Sequence, residues 1–471
     1  MILIILALLF QYISANLVVN NITVTIDNNT RNTPLLGSGN ELVWQNVSDP
    51  NLIASTIKLK NSIGRYPGGT PSDYWNWEKG WASDVPSTDP IKYTPPKKWY
   101  KWANSVNLKS TVLVVNQLTN TLDYAIEGLN EHKNSGTNIK YVELGNEMYD
   151  NTRPDVLAKY PKPIDYALAM VNWTKQIKQI FPEAKIALIG VRWDTQDASQ
   201  RELTWNKQVL QNPISYQADA ATLHIYCNLY GGIKSVDDYG LFLNGAFTYV
   251  ENNRQNANNT IPNKFRLWVT ELGTFSIGNM QNTWLYGLYH GILIMELLTI
   301  SRIDIILPYC LVCQASASSS LTTLNGSIPI NPKSKLNWIK TMKGAVEELI
   351  YDAFNFNDSN FKSNKLIFNP NPPLFNKGKK IEKSKSLIGW FNNKYGKIRL
   401  IIMNIGFNLV NISLPKLNNK IGLLKLYKIY PKRIDDAINN TIGLNGLQYT
   451  LIDLNNFTDL FLEPYSLSLI K

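Results

Sequence analysis

Lys140-Tyr141-Val142-Glu143-Leu144-Gly145-Asn146-Glu147 begins as an apolar, β-favouring run and ends on an amide and a carboxylic acid. Val142 and Leu144 alternate with polar neighbours, as a strand requires, and Gly145 loosens the end. Leu267-Trp268-Val269-Thr270-Glu271-Leu272-Gly273 repeats the pattern far downstream, with Glu271 at the strand end. Two apolar strands that each deliver a carboxylate at their carboxyl end suit a parallel barrel whose site lies on that face. Paired carboxylates are the groups that cleave glycosidic bonds.

Outward from these two strands, β-like and helical patterns alternate. Strands are predicted over Pro34–Trp44, to Arg65 within Ile57–Tyr66, and over Ser110–Asn116, then to Glu147. They continue over Lys185–Val191, Ala220–Tyr226, to Glu271 and over Ile303–Val312. Helices are predicted over Trp99–Asn107, Thr121–Asn134, Tyr166–Phe181, Leu203–Leu210, Leu241–Arg254, Trp284–Ile300 and Leu336–Ile350. Eight such units close a (β/α)8 TIM barrel, an α/β fold, over residues 33–350. From about Phe354 lysine and asparagine dominate. Short strands at Leu387–Asn392, Ile398–Asn404, Asn411–Leu414, Leu423–Ile429 and Leu467–Ile470 predict a C-terminal β-sandwich over 351–471. Leu17–Ile26 alternates as a strand ahead of the barrel, so residues 16–32 are expected to pair with strands much later in the chain.

Residues 1–15 read as a signal peptide: Ile2–Phe10 is apolar but too short to span a bilayer, and Ser14-Ala15 offers small residues for cleavage. A secreted or lysosomal location follows, and N-glycans are expected at sequons such as Asn21, Asn28, Asn46, Asn172, Asn258, Asn325, Asn357, Asn411, Asn439 and Asn456. The formal net charge of +11 is read first as a lysine-rich solvated surface, with polyanion binding as the second reading. The three cysteines provide no disulfide framework, and Cys310-x-x-Cys313 reads as a pair of buried thiols. Three histidines supply a zinc site poorly, and no later segment reads as membrane-spanning. No metal, organic cofactor or nucleic-acid partner is expected.

A retaining glycosidase needs a proton donor with a raised pKa and an ionised nucleophile on opposite faces of the bond. Asn146 stands where its amide can bond a sugar hydroxyl. Asp73-Tyr74-Trp75-Asn76-Trp77, on the loop after the second strand, is a candidate sugar platform, against ordinary aromatic packing. Glu143 shares the face of Glu147 provided Gly145 introduces no bulge.

Arg65-Tyr66-Pro67-Gly68-Gly69, Leu144-Gly145-Asn146-Glu147, Leu223-His224-Ile225-Tyr226 and Val269-Thr270-Glu271 occur in barrel order. Together they resemble the retaining glycoside hydrolases of clan A, and α-L-arabinofuranosidases and heparanase-like β-glucuronidases in particular. The resemblance implies Glu147 as acid/base and Glu271 as nucleophile. It also implies Tyr226 bonding that nucleophile, His224 lining the site and Arg65 supporting it electrostatically. The strand-seven end departs from the Asp-Glu-Trp form common in arabinofuranosidases, so arabinoside and glucuronide substrates both stay open. Two rival readings remain: a catalytically silent carbohydrate-binding glycoprotein on the same scaffold, and an adhesion protein whose basic sandwich binds polyanions.

Overall fold

A computed structural model describes residues 20–85, 92–191, 199–228, 233, 238–275, 283–313, 319–323, 337–354, 362–376, 379–382, 384–394, 397–414, 424–431, 447–454 and 459–471. The expected signal segment and the sequons at Asn325, Asn357, Asn439 and Asn456 lie outside these residues.

Eight parallel strands close a barrel: Leu35–Ser38, Ile63–Tyr66, Ser110–Val115, Tyr141–Leu144, Lys185–Ile189, Ala220–Asn228, Arg266–Phe275 and Ile303–Pro308. Its lower interior is an apolar plug of Ile63, Val112, Tyr141, Ala187, Ala220, Trp268, Ile305 and Leu307. Side chains along a strand repeat every second residue. The residue two positions on from each plug residue therefore also points inward, nearer the carboxyl end.

Helices cover the outside. The first, Pro50–Leu59, is capped by Asp49, whose carboxylate accepts the Asn51 N–H at 2.9 Å. It corrects the second predicted strand, because Ile57 belongs to this helix and the strand begins only at Ile63. The predicted first strand is also shorter, since Leu42–Trp44 forms a 3-10 turn. Trp284–Leu297 is buried on nearly every side, as a helix apolar all round must be. It lies between the barrel and the sandwich: Trp284 Nε1 donates to the Tyr465 carbonyl at 2.7 Å, and Trp390 Nε1 to the Met295 carbonyl at 3.2 Å. The last barrel helix is Met342–Phe354, later than predicted, and Trp338–Lys340 pairs as a short strand instead.

The C-terminal unit is a mostly antiparallel sheet folded into two layers. Strands Leu387–Lys394 and Lys397–Asn404 show the reason in their alternation. Ile388, Trp390, Ile401 and Met403 join the barrel-side core, while Leu387, Phe391, Leu400 and Ile402 fill the space between the layers. Asn20–Ile26 lies antiparallel to Lys362–Asn369 and parallel to Val410–Ser413. Its Ile22 and Val24 complete the inter-layer core. The strands Lys362–Asn369, Leu447–Leu454 and Asp459–Leu462 were not expected from sequence. Cys310 and Cys313 are joined as a disulfide, which corrects the reading of two buried thiols, and Cys227 is a buried free thiol. No helix among the described residues is long and apolar enough to cross a membrane.

Candidate active site

Arg65 stands two residues above Ile63 on the second strand and Glu143 two above Tyr141 on the fourth, so both project inward above the plug. The guanidinium is fully buried. Nε and Nη2 donate to the Glu143 carboxylate at 2.8 and 3.0 Å, Nη2 to Asn146 Oδ1 at 2.9 Å, and Nη1 to Glu271 Oε1 at 2.6 Å. Burying a charge is expensive unless it is paired and hydrogen-bonded. Here burial disfavours the guanidinium charge, and the two glutamates more than restore it. Burial likewise opposes the Glu143 charge, and Arg65 with His224 holds that carboxyl below its ordinary value.

A bulge on the seventh strand places Glu271. Between Val269 and Glu271 the pairing with the sixth strand skips one residue, setting His224 opposite Glu271. Consecutive Thr270 and Glu271 thus both reach the interior: Thr270 Oγ1 donates to Glu143 at 3.2 Å while Glu271 meets Arg65. Tyr226, two residues beyond His224, donates its hydroxyl to Glu271 Oε2.

Glu147 reaches the same space from beyond the end of the fourth strand. Gly145 turns the chain with φ of 86°, where a Cβ would lie 2.4 Å from Gln117 Nε2. Glu147 itself has φ of 48°, a left-handed conformation that costs a non-glycine residue about 1 kcal/mol or more. The turn is held by the Asn146 N–H, which donates to Asp73 Oδ1 at 3.1 Å, and by the Asp150 N–H, which donates to the Glu147 carbonyl at 2.9 Å. Glu143 therefore faces the closed interior and Glu147, with 28% of its side chain exposed, faces the open mouth.

His224 Nδ1 lies 2.8 Å from Glu147 Oε1 and 3.7 Å from Glu271 Oε2. Burial pushes the imidazole pKa down, but Glu271, Glu143 and Glu147 raise it to about 10. Burial pushes the Glu147 carboxyl up, and His224, Tyr149 and Arg65 outweigh it and lower it to about 2. The raised carboxyl expected of a proton donor is thus reversed. The proton resides on the imidazole, hydrogen-bonded to the carboxylate. The two form one coupled pair rather than independent groups.

One donor atom each of Glu147, His224 and Glu271 lies within 4.8 Å of the others, compact enough to share a cation. The donor set fits poorly, because its atoms already face protons from Arg65, Tyr226, Tyr149 and the imidazole itself.

The other expected residues divide. Asn146 is in the cluster, and its Nδ2 is buried without a hydrogen-bond partner. Asp73 is buried, with Oδ2 accepting from Arg153 at 2.7 Å, so it supports the Asn146 turn and does not reach the open cleft. Burial raises its carboxyl to about 7 against the pull of Arg153. Trp75 is not a sugar platform in the cleft. It is 4% exposed, packs edge-on to Tyr66 at 5.7 Å and donates Nε1 to the Tyr66 hydroxyl at 3.0 Å. With Trp77 and His132 it lines a cleft between the third strand and its helix, on the outside of the barrel. The structure adds residues not read from sequence. Glu41, following the first strand, accepts a hydrogen bond from Tyr309 at the end of the eighth. Burial raises its carboxyl, opposed by Tyr309 and reinforced by Glu271. Tyr149 donates to Glu147 Oε1 at 3.0 Å. Both Glu41 and Tyr309 follow strand ends, the positions from which barrel sites are built.

Solved structures with a closed barrel followed by a β-sandwich superpose on nearly the whole chain. A family 51 α-L-arabinofuranosidase from Bifidobacterium longum matches with a TM-score of 0.70 at 15% identity, over 95% of this chain and 99% of its own. The thermostable α-L-arabinofuranosidase from Thermotoga petrophila gives 0.67 at 16% identity, over 96% and 99%. A 4-O-α-L-rhamnosyl-β-D-glucuronidase from Fusarium oxysporum gives 0.58 at 11%, over 96% and 100%. At these identities the likeness is one of fold. No family model and no curated protein sequence matches the chain.

Proposed function

We propose that the protein is a secreted retaining glycoside hydrolase in which Glu271 is the nucleophile and Glu147 the acid/base. The observation that carries this reading is the approach of the two carboxylates to within 4.8 Å across one mouth. A retaining pair stands about 5–5.5 Å apart, whereas an inverting pair leaves about 6.5–9.5 Å for a water. Glu271 attacks the anomeric carbon while Glu147 gives a proton to the departing oxygen. A water deprotonated by Glu147 then cleaves the glycosyl ester. A sugar filling the mouth excludes water and so disfavours the charged forms of both His224 and Glu147, leaving a neutral imidazole and a protonated Glu147 for the first step. Arg65 and Tyr226 keep Glu271 oriented, and Asn146 Nδ2, buried without a partner, donates to a sugar hydroxyl.

An arabinofuranoside is favoured over a glucuronide. Among the described residues around the mouth, the carboxyl groups of Glu41, Glu147 and Glu271 face two cations, Arg65 and His224. A substrate carboxylate would meet more like charge than opposite. The disulfide and the apolar amino-terminal segment support secretion into an oxidising compartment, where N-glycans would be added.

Aryl α-L-arabinofuranosides and aryl β-D-glucuronides, offered to the wild type and to Glu271→Gln, test the reading. Turnover that vanishes in the variant is expected. Identical traces for the two proteins would refute the enzyme reading.

A further inference from the structure

The geometry points to Tyr149 as a positioning residue for proton transfer, an inference that rests on the acid/base role proposed for Glu147. Tyr149 Oη donates to Glu147 Oε1 at 3.0 Å, and His224 Nδ1 meets the same oxygen at 2.8 Å. Two donors therefore converge on one carboxylate oxygen from different elements. Tyr149 comes from the turn after the fourth strand, and His224 from the sixth strand.

The consequence is an asymmetric carboxyl group. Oε1 is occupied by both donors, and Oε2 has no bond to any described residue. A glutamate side chain rotates about its last bond with little preference. With one donor the carboxyl group could still swing about that contact, but with two donors 3 Å away from separate elements its plane is set. Oε2 is then the oxygen that carries and passes the proton, and a small rotation away from the leaving oxygen is resisted. The phenol is itself held: its ring packs edge-on to Trp205 at a centroid distance of 6.1 Å and an interplanar angle of 80°. Trp205 is fully buried, and its Nε1 donates to the Ile189 carbonyl at 2.8 Å. The pin thus runs from the barrel wall to the acid/base oxygen.

Tyr149→Phe removes the hydroxyl and keeps the ring on Trp205. The test is kcat/KM for the wild type, Tyr149→Phe, Glu147→Gln and the double variant, on aryl glycosides whose leaving phenols span strong to weak acids. A misaligned acid harms only bonds that need a proton to break. Tyr149→Phe is expected to lose about tenfold on the poorest leaving group and less than about twofold on the best. In the Glu147→Gln background it should cost nothing further, because the group it positions is gone. An equal loss on every leaving group, an additive loss in the double variant, or no loss at all overturns the assignment. A Glu147→Gln single variant that keeps wild-type rates on poor leaving groups would instead overturn the acid/base reading, and the role of Tyr149 with it.

Discussion

Replacing Arg65 by methionine tests the electrostatic centre of the barrel. The change keeps most of the side-chain length and removes the guanidinium, with its hydrogen bonds to Glu143, Glu271 and Asn146. Glu143 is fully buried and keeps only Thr270 at 3.2 Å and the imidazole at 3.7 Å. Removing one partner of a buried ion pair costs about 3–5 kcal/mol, because the other charge is stranded. At roughly 2 °C per kcal/mol for a large domain, the melting temperature should fall by roughly 6–10 °C. The sign of the pH dependence is the sharper observable. In the wild type the Glu143 pKa lies below its unfolded value, so its contribution is present above that value and lost as pH falls. Without Arg65, burial pushes the same carboxyl above its unfolded value, and stability is lost as pH rises. The gap in melting temperature between variant and wild type should therefore widen from pH 4 to pH 7 in thermal scans by circular dichroism. Arg65→Met combined with Glu143→Leu should recover most of the stability, since an apolar pair can replace a buried ion pair, and should remain inactive. A single variant that melts with the wild type at every pH would refute the claim that the guanidinium holds the buried Glu143 carboxyl charged.

Arg153→Leu takes away the cation that restrains Asp73, a carboxyl that burial already places at about 7. Asp73 should then be protonated at neutral pH, weakening its acceptance of the Asn146 N–H, and kcat/KM at pH 7 should fall about tenfold. A kcat/KM–pH profile overlying the wild type would count against this support. His132 is buried, and burial lowers it from 6.5 to about 3. Its contribution to stability is therefore full above pH 6.5 and drains away toward pH 3, by at most ~5 kcal/mol. His132→Phe should narrow the difference in melting temperature between pH 7 and pH 4, and an unchanged difference would mean that the imidazole is not buried neutral.

What was legible in the sequence were features that depend on short-range pattern. The fourth and seventh strands are marked by their β-favouring runs and the terminal carboxylates by position, so the sequence pairs Glu147 with Glu271. The second strand starts later than its apolar pattern suggests, and the sequence carries the counter-signal. Asp49-Pro50 is a cap followed by a first-turn proline, and Leu52, Thr56 and Leu59 are buried at helical spacing. Trp75 shows what pattern cannot supply. The side on which a loop lays its ring is decided by partners far away in sequence, here Asn116 and Asn120, which donate to the Trp75 carbonyl at 3.2 and 3.1 Å. Cys310-x-x-Cys313 is similar, since spacing permits a disulfide without requiring one. The proton on His224 is a step further from pattern. No property of Leu223-His224-Ile225-Tyr226 makes its imidazole basic, because that basicity is the summed field of Glu143, Glu147 and Glu271. These arrive from two other strands, one by a left-handed turn and one by a bulge. Local sequence can locate the charged groups of such a site, but their protonation is a property of the closed barrel. For this reason the donor carboxyl is lowered where a raised one is expected, although Glu147 and Glu271 do meet at one mouth.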